Sequence, residues 1–130
     1  MTFFRRKETP WEVVGSQSVD PIPMYYDDED LDLIYVKNTN VQRKYVIDVK
    51  KDQDLQNELQ KAIVFARAQL LEEVKKNGYN ILLLESWHIT VLRKAKLHRV
   101  EVEYNGRPAI ALNTLKERHP PFIQVLKIGH

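Results

Sequence analysis

Cysteine is absent from this chain of 130 residues, glycine occurs four times, and no apolar run approaches the roughly 18 residues that a membrane span needs. The missing sulfur excludes a disulfide framework, a thiolate metal site, a cysteine nucleophile and an iron–sulfur cluster. Scarce glycine removes the glycine-rich loop that cradles phosphates, and argues against nucleotide-dependent catalysis. Near the amino terminus Phe3 and Phe4 precede Arg5, Arg6 and Lys7, the reverse of the order in a secretory signal. A soluble intracellular protein, cytoplasmic or nuclear, is expected.

What is present suits one globular domain, since 43% of the residues are hydrophobic and 29% charged, enough for a single core inside a solvated surface. The net charge of +2 conceals a gradient. Residues 1–32 carry three basic and eight acidic side chains, residues 33–80 nine against six, and residues 81–130 eight against four. Residues 1–31 therefore read as an irregular acidic arm, either solvated or laid across a basic face in competition with an anionic partner. Residues 32–130 read as a single α+β domain. Pro10, Gly15, Pro21 and Pro23 interrupt the arm, with one short strand expected around residues 11–14. Its run Asp27, Asp28, Glu29 and Asp30, followed by Asp32, superficially suggests a calcium loop, but the glycine that such a loop needs for its sharp turn is missing. A solvated loop and no metal site are expected there.

Hydrophobic periodicity supplies the elements. Strands are predicted at 33–36 and 41–50, separated by the turn residues Asn38, Thr39 and Asn40; in the second, Tyr45, Ile47 and Val49 alternate with Lys44, Val46 and Asp48. Leu55, Leu59, Ala62, Ile63, Ala66, Leu70 and Val74 make one apolar stripe, the mark of a helix over about 54–76. Asp52 or Asp54 is its N-cap, Lys75 and Lys76 complement its dipole, and Asn77 with Gly78 stops it. A long strand at 80–93 places Ile81, Leu83, Trp87, Ile89 and Val91 on one face, and Leu82, Leu84, Ser86, His88, Thr90 and Leu92 on the other. After a basic turn at 94–97 comes a strand at 98–104. Asn105 and Gly106 then predict a type I′ hairpin into a last strand at 107–112, which Pro108 assigns to the sheet edge.

The expected fold class is α+β, with one long helix packed on a mostly antiparallel sheet in β-α-β-β-β order and a right-handed crossover. An irregular acidic arm precedes this core and an apolar tail, residues 120–128, follows it. One helix covers one sheet face. Leu82 and Leu84 on the opposite face then need the arm, the tail or a second subunit above them, and oligomerisation or tail exchange is the favoured expectation.

Chemistry-bearing residues are few. None of His88, His98, His119 and His130 stands two, three or four residues from another, so no single element offers a two-histidine metal site. Ser86, His88 and Thr90 share a strand face, but alternate residues lie roughly 6.6 Å apart with parallel side chains, a poor geometry for proton transfer from serine to histidine. Glu85 interrupts an apolar face. Buried there, it needs a cation or a raised pKa, unless a bulge turns it outward. The densest polar cluster is Arg93, Lys94, Lys96, His98 and Arg99, with Arg107 toward the other end of the hairpin, and these are the candidate anion-binding or partner-binding residues. Glu101 and Glu103 share that outward face, Trp87 and Tyr104 belong to the core, and only Tyr79 is placed to stack on a base.

A non-catalytic protein acting through protein–protein contact, as a homo-oligomer without cofactor or membrane attachment, is the leading expectation. The alternatives are a module for an anionic ligand or nucleic acid using the basic hairpin 93–99, and an enzyme using Glu85 or His88.

Overall fold

The computed structural model describes residues 10–25, 31–50, 54–113 and 118–126, so the acidic run Asp27, Asp28, Glu29 and Asp30 lies outside the described residues. The elements are β1 (Glu12–Pro23), β2 (Leu33–Val36), β3 (Val41–Val49), α1 (Leu55–Lys76), β4 (Ile81–Lys94), β5 (Leu97–Ala111) and a 3-10 turn (Ile123–Val125). One helix packs on a five-stranded antiparallel sheet, the expected α+β class. β4 and β5 form a long central hairpin; β1 lies along β4, while β3 and β2 follow one another along the far side of β5. Because β3 and β4 are both antiparallel to β5, they run parallel to each other, and α1 is the crossover between them.

The helix forms where its periodicity and caps agree. The Asp54 side chain accepts the Gln56 N–H at 3.2 Å, and at the other end Gly78, at φ +95°, completes a Schellman stop in which the Tyr79 N–H reaches Val74 O. Its apolar stripe, Leu59, Ala62, Ile63, Ala66, Leu70 and Val74, packs with Trp87, Ile89, Val91, Val100, Val102 and Tyr104 of the central hairpin. Leu126 from the tail joins this core. The Trp87 indole N–H donates to Pro121 O at 2.8 Å and the Gln56 side-chain amide donates to Leu126 O at 2.5 Å, so the described part of the tail packs on its own chain.

Four details differ from the sequence reading. The short strand expected near residues 11–14 extends to Pro23: register shifts at Val13/Gly15 and Val19/Ile22 absorb the irregularity at Gly15 and before Pro23, and an edge strand tolerates its prolines. Asn105 and Gly106 make no turn, and β5 continues through both to Ala111. Gly106 is there for space. A Cβ on it would stand 2.8 Å from Leu82 Cδ2.

Pro108 is correspondingly not on an edge, since β5 has neighbours on both sides. Its carbonyl accepts the Lys37 N–H at 2.9 Å, so the position of its missing N–H faces the gap where residues 38–40 separate β2 from β3. Finally, a bulge between Leu82 and Glu85 shifts the register by one residue, which puts Leu82 in the helix-side core with Trp87 instead of on the opposite face. Ile81, Ala109 and Ala111 point the other way, where Tyr25 and Leu31 of the arm and Leu83 pack against them. The covering of Leu82 thus comes from the chain itself.

Candidate functional site

Glu85 is fully buried on the face it shares with Trp87, and the bulge, which lies before it, does not turn it outward. The cation it requires is Arg67, which occupies one position of the buried helix stripe. Arg67 Nε contacts Glu85 Oε1 at 2.6 Å and Nη2 contacts Oε2 at 3.0 Å, and the Tyr104 hydroxyl donates to Oε1 at 2.5 Å. Burial alone would lower the Arg67 pKa; the hydrogen bond and charge of Glu85 outweigh it, and the net direction is upward. Burial, then the neighbouring carboxylate, drives Tyr104 far above the ordinary tyrosine range. With every group of this triad engaged by another, the arrangement ties α1 to β4 and β5 and presents no acid or base to a substrate.

At the turn between β4 and β5, Arg93, Lys94 and Arg99 each meet a partner from outside the hairpin. Arg93 stands 3.5 Å from Glu12, and Arg99 donates to Asp48 at 2.7 Å while its guanidinium lies 4.3 Å from the Trp11 ring centre. The hydrogen bond from Arg99 holds the Asp48 carboxyl below its usual range. Lys94 sits 6.0 Å from the same ring. Lys96 is exposed in the turn after Ala95, and His98 is half-buried between register partners Val49 and Arg93. Arg107 does not join this group. It donates to Asn40 at 3.0 Å, eight residues along β5 from Arg99 and roughly 27 Å away.

His88 lies on the sheet face away from the helix, with hydroxyls at both ring nitrogens: Ser18 Oγ at 2.9 Å from Nδ1, Thr90 Oγ1 at 3.1 Å and Ser16 Oγ at 3.3 Å from Nε2. The serines come from β1, across the strand pair, and not from Ser86. Among the described residues no carboxylate bonds to the imidazole, so the orienting group of a nucleophile-base-acid relay is missing. The sequence signal for these partners was the alternation of Ser16 and Ser18 with Gln17 and Val19.

β2 is the exception on this surface. Leu33, Ile34, Tyr35 and Val36 are 41%, 58%, 51% and 38% exposed, a continuous apolar run on a strand that among the described residues pairs with β5 alone. The other edge segments are guarded. β1 carries Pro21, Pro23 and two register shifts, and β3 carries Arg43, Lys44 and Asp48. Tyr35 rests 6.2 Å from the Tyr79 ring, and Lys37 lies 5.8 Å above that ring, which occupies the residue singled out for base stacking. Among the described residues no helix is long and apolar enough to cross a membrane, and no group of three metal-ligating side chains forms. No protein-family model, curated protein or solved structure matches this chain.

Proposed function

We propose that this protein acts through protein–protein contact, self-association included, with β2 as the contact edge. One observation carries the reading: four consecutive large apolar residues stand exposed on an edge strand that has neither charge nor proline within it. Such an edge offers backbone donors and acceptors together with apolar side chains, the two components of strand addition. Its shortness limits the contact to a weak, reversible one. Anion or nucleic-acid binding on residues 93–99 has less support, because Glu12, Asp48 and Trp11 already engage Arg93, Arg99 and Lys94.

The test is sedimentation velocity of the full chain over a wide concentration range, beside the variant Ile34→Lys. The wild type is expected to move reversibly from the 15.4 kDa monomer toward larger species, and Ile34→Lys to remain monomeric with its helical circular dichroism intact. A wild type that stays monomeric at every concentration overturns self-association at this edge.

A further inference from the structure

The two ends of β2 differ in charge and its middle has none. Asp32 precedes Leu33, and Lys37 follows Val36. On the inner side, the Leu112 N–H donates to Asp32 O at 2.8 Å and the Lys37 N–H donates to Pro108 O at 2.9 Å, so the backbones of both charged residues face β5. Five residues apart, they would face opposite ways in a regular strand. The register shift between Leu33 and Tyr35 inserts the extra residue that brings them to the same side. Leu33 and Val36, next to them, therefore turn their N–H and C=O groups to the outer edge.

We infer that β2 pairs antiparallel with β2 of a second copy of this chain about a two-fold axis, Leu33 of each copy exchanging backbone hydrogen bonds with Val36 of the other. This deepens, and rests on, the reading of β2 as a contact edge. The occupant is chosen by charge. Antiparallel self-pairing sets Asp32 of each copy beside Lys37 of the other at both ends of the contact, whereas a parallel approach sets Asp32 against Asp32 and Lys37 against Lys37. Shape agrees with charge, because a two-fold contact needs a patch complementary to itself, and a negative end, four apolar residues and a positive end meet that condition. The two hairpins would then continue one sheet across the axis.

Charge reversal tests the pairing. Asp32→Lys and Lys37→Asp each place like charges at both ends, and each is expected to weaken self-association about tenfold in sedimentation at low salt. The double variant D32K/K37D restores opposite charges and is expected to return to within about twofold of wild type. An equimolar mixture of the two single variants should form the mixed dimer in preference to either homodimer, seen by native mass spectrometry with one partner isotopically labelled. In wild type, the Leu33 and Val36 amides should exchange hydrogen more slowly as concentration rises. Association that ignores the single reversals, fails to recover in the double variant, or leaves those two amides unprotected overturns the antiparallel pair while the contact reading stands. A wild type without any association overturns the pair together with self-association at this edge.

Discussion

Arg67 and Glu85 close a two-pronged ion pair at 2.6 and 3.0 Å between the helix and the central hairpin, with no part of the Glu85 side chain open to solvent. Two charges in that position are tolerated only because each satisfies the other. Removing the arginine alone strands a carboxylate in the core, and Arg67→Met is expected to cost about 3–5 kcal/mol in urea unfolding. Replacing the whole triad by apolar groups, Arg67→Met with Glu85→Leu and Tyr104→Phe, removes the desolvation penalty along with the pair. That triple variant should recover most of the loss; a stability at or below that of Arg67→Met would contradict this account.

Tyr104 carries a pH dependence of definite sign. Its folded pKa lies well above the ordinary value of 10.0, because burial and then the Glu85 charge both oppose the phenolate. Above pH 10 the unfolded chain releases a proton that the folded chain retains, so this contribution is fully present below pH 10 and declines as pH rises beyond it. Unfolding measured from pH 8.5 to 11 should show a fall in stability that Tyr104→Phe makes shallower. At neutral pH the same substitution leaves Glu85 without one donor and should cost about 1–3 kcal/mol.

The helix was legible in full because stripe, N-cap and glycine stop all agree at α1. The alternation in β3 was equally plain. The hairpin was harder, because Asn105–Gly106 matches a turn dipeptide while its role depends on Leu82, more than twenty positions away in sequence. A lone glycine in a strand pattern also signals close approach, and that was the available clue. Glu85 was recognised as needing a cation, but Arg67 was hidden inside a stripe judged by its apolar members. The hydroxyls around His88 were missed with the length of β1, whose glycine and prolines look like breakers until an edge position absorbs them. The basic cluster read from 93–99 was local in sequence, and the acidic partners that engage it arrive from β1 and β3.

Gly106→Ala should act as an overpacking change. The added methyl would meet Leu82 Cδ2 at 2.8 Å and Cδ1 at 3.1 Å, and Leu82 is itself enclosed in the core. A cost of about 1–3 kcal/mol is expected in chemical denaturation. Leu82→Val shortens the side chain that the new Cβ strikes. Combined with Gly106→Ala, it should cost less than the two single changes together, and strict additivity would place the strain elsewhere.

The tail is held at two points with different chemistry. The Trp87 indole donates to Pro121 O at 2.8 Å, and Leu126 fills a buried place beside the helix. Trp87→Phe keeps most of the ring volume but leaves the Pro121 carbonyl without its donor, a loss of about 1–3 kcal/mol. Leu126→Ala empties the second point and should cost about 2–5 kcal/mol. If these contacts latch the tail in place, either variant should become cleavable by protease in its carboxy-terminal segment under conditions where the far-ultraviolet circular dichroism of helix and sheet is unchanged. Cleavage that begins only as that signal collapses would mean that tail and core unfold as one unit, and that Leu126 is part of the cooperative core and not of a separate latch.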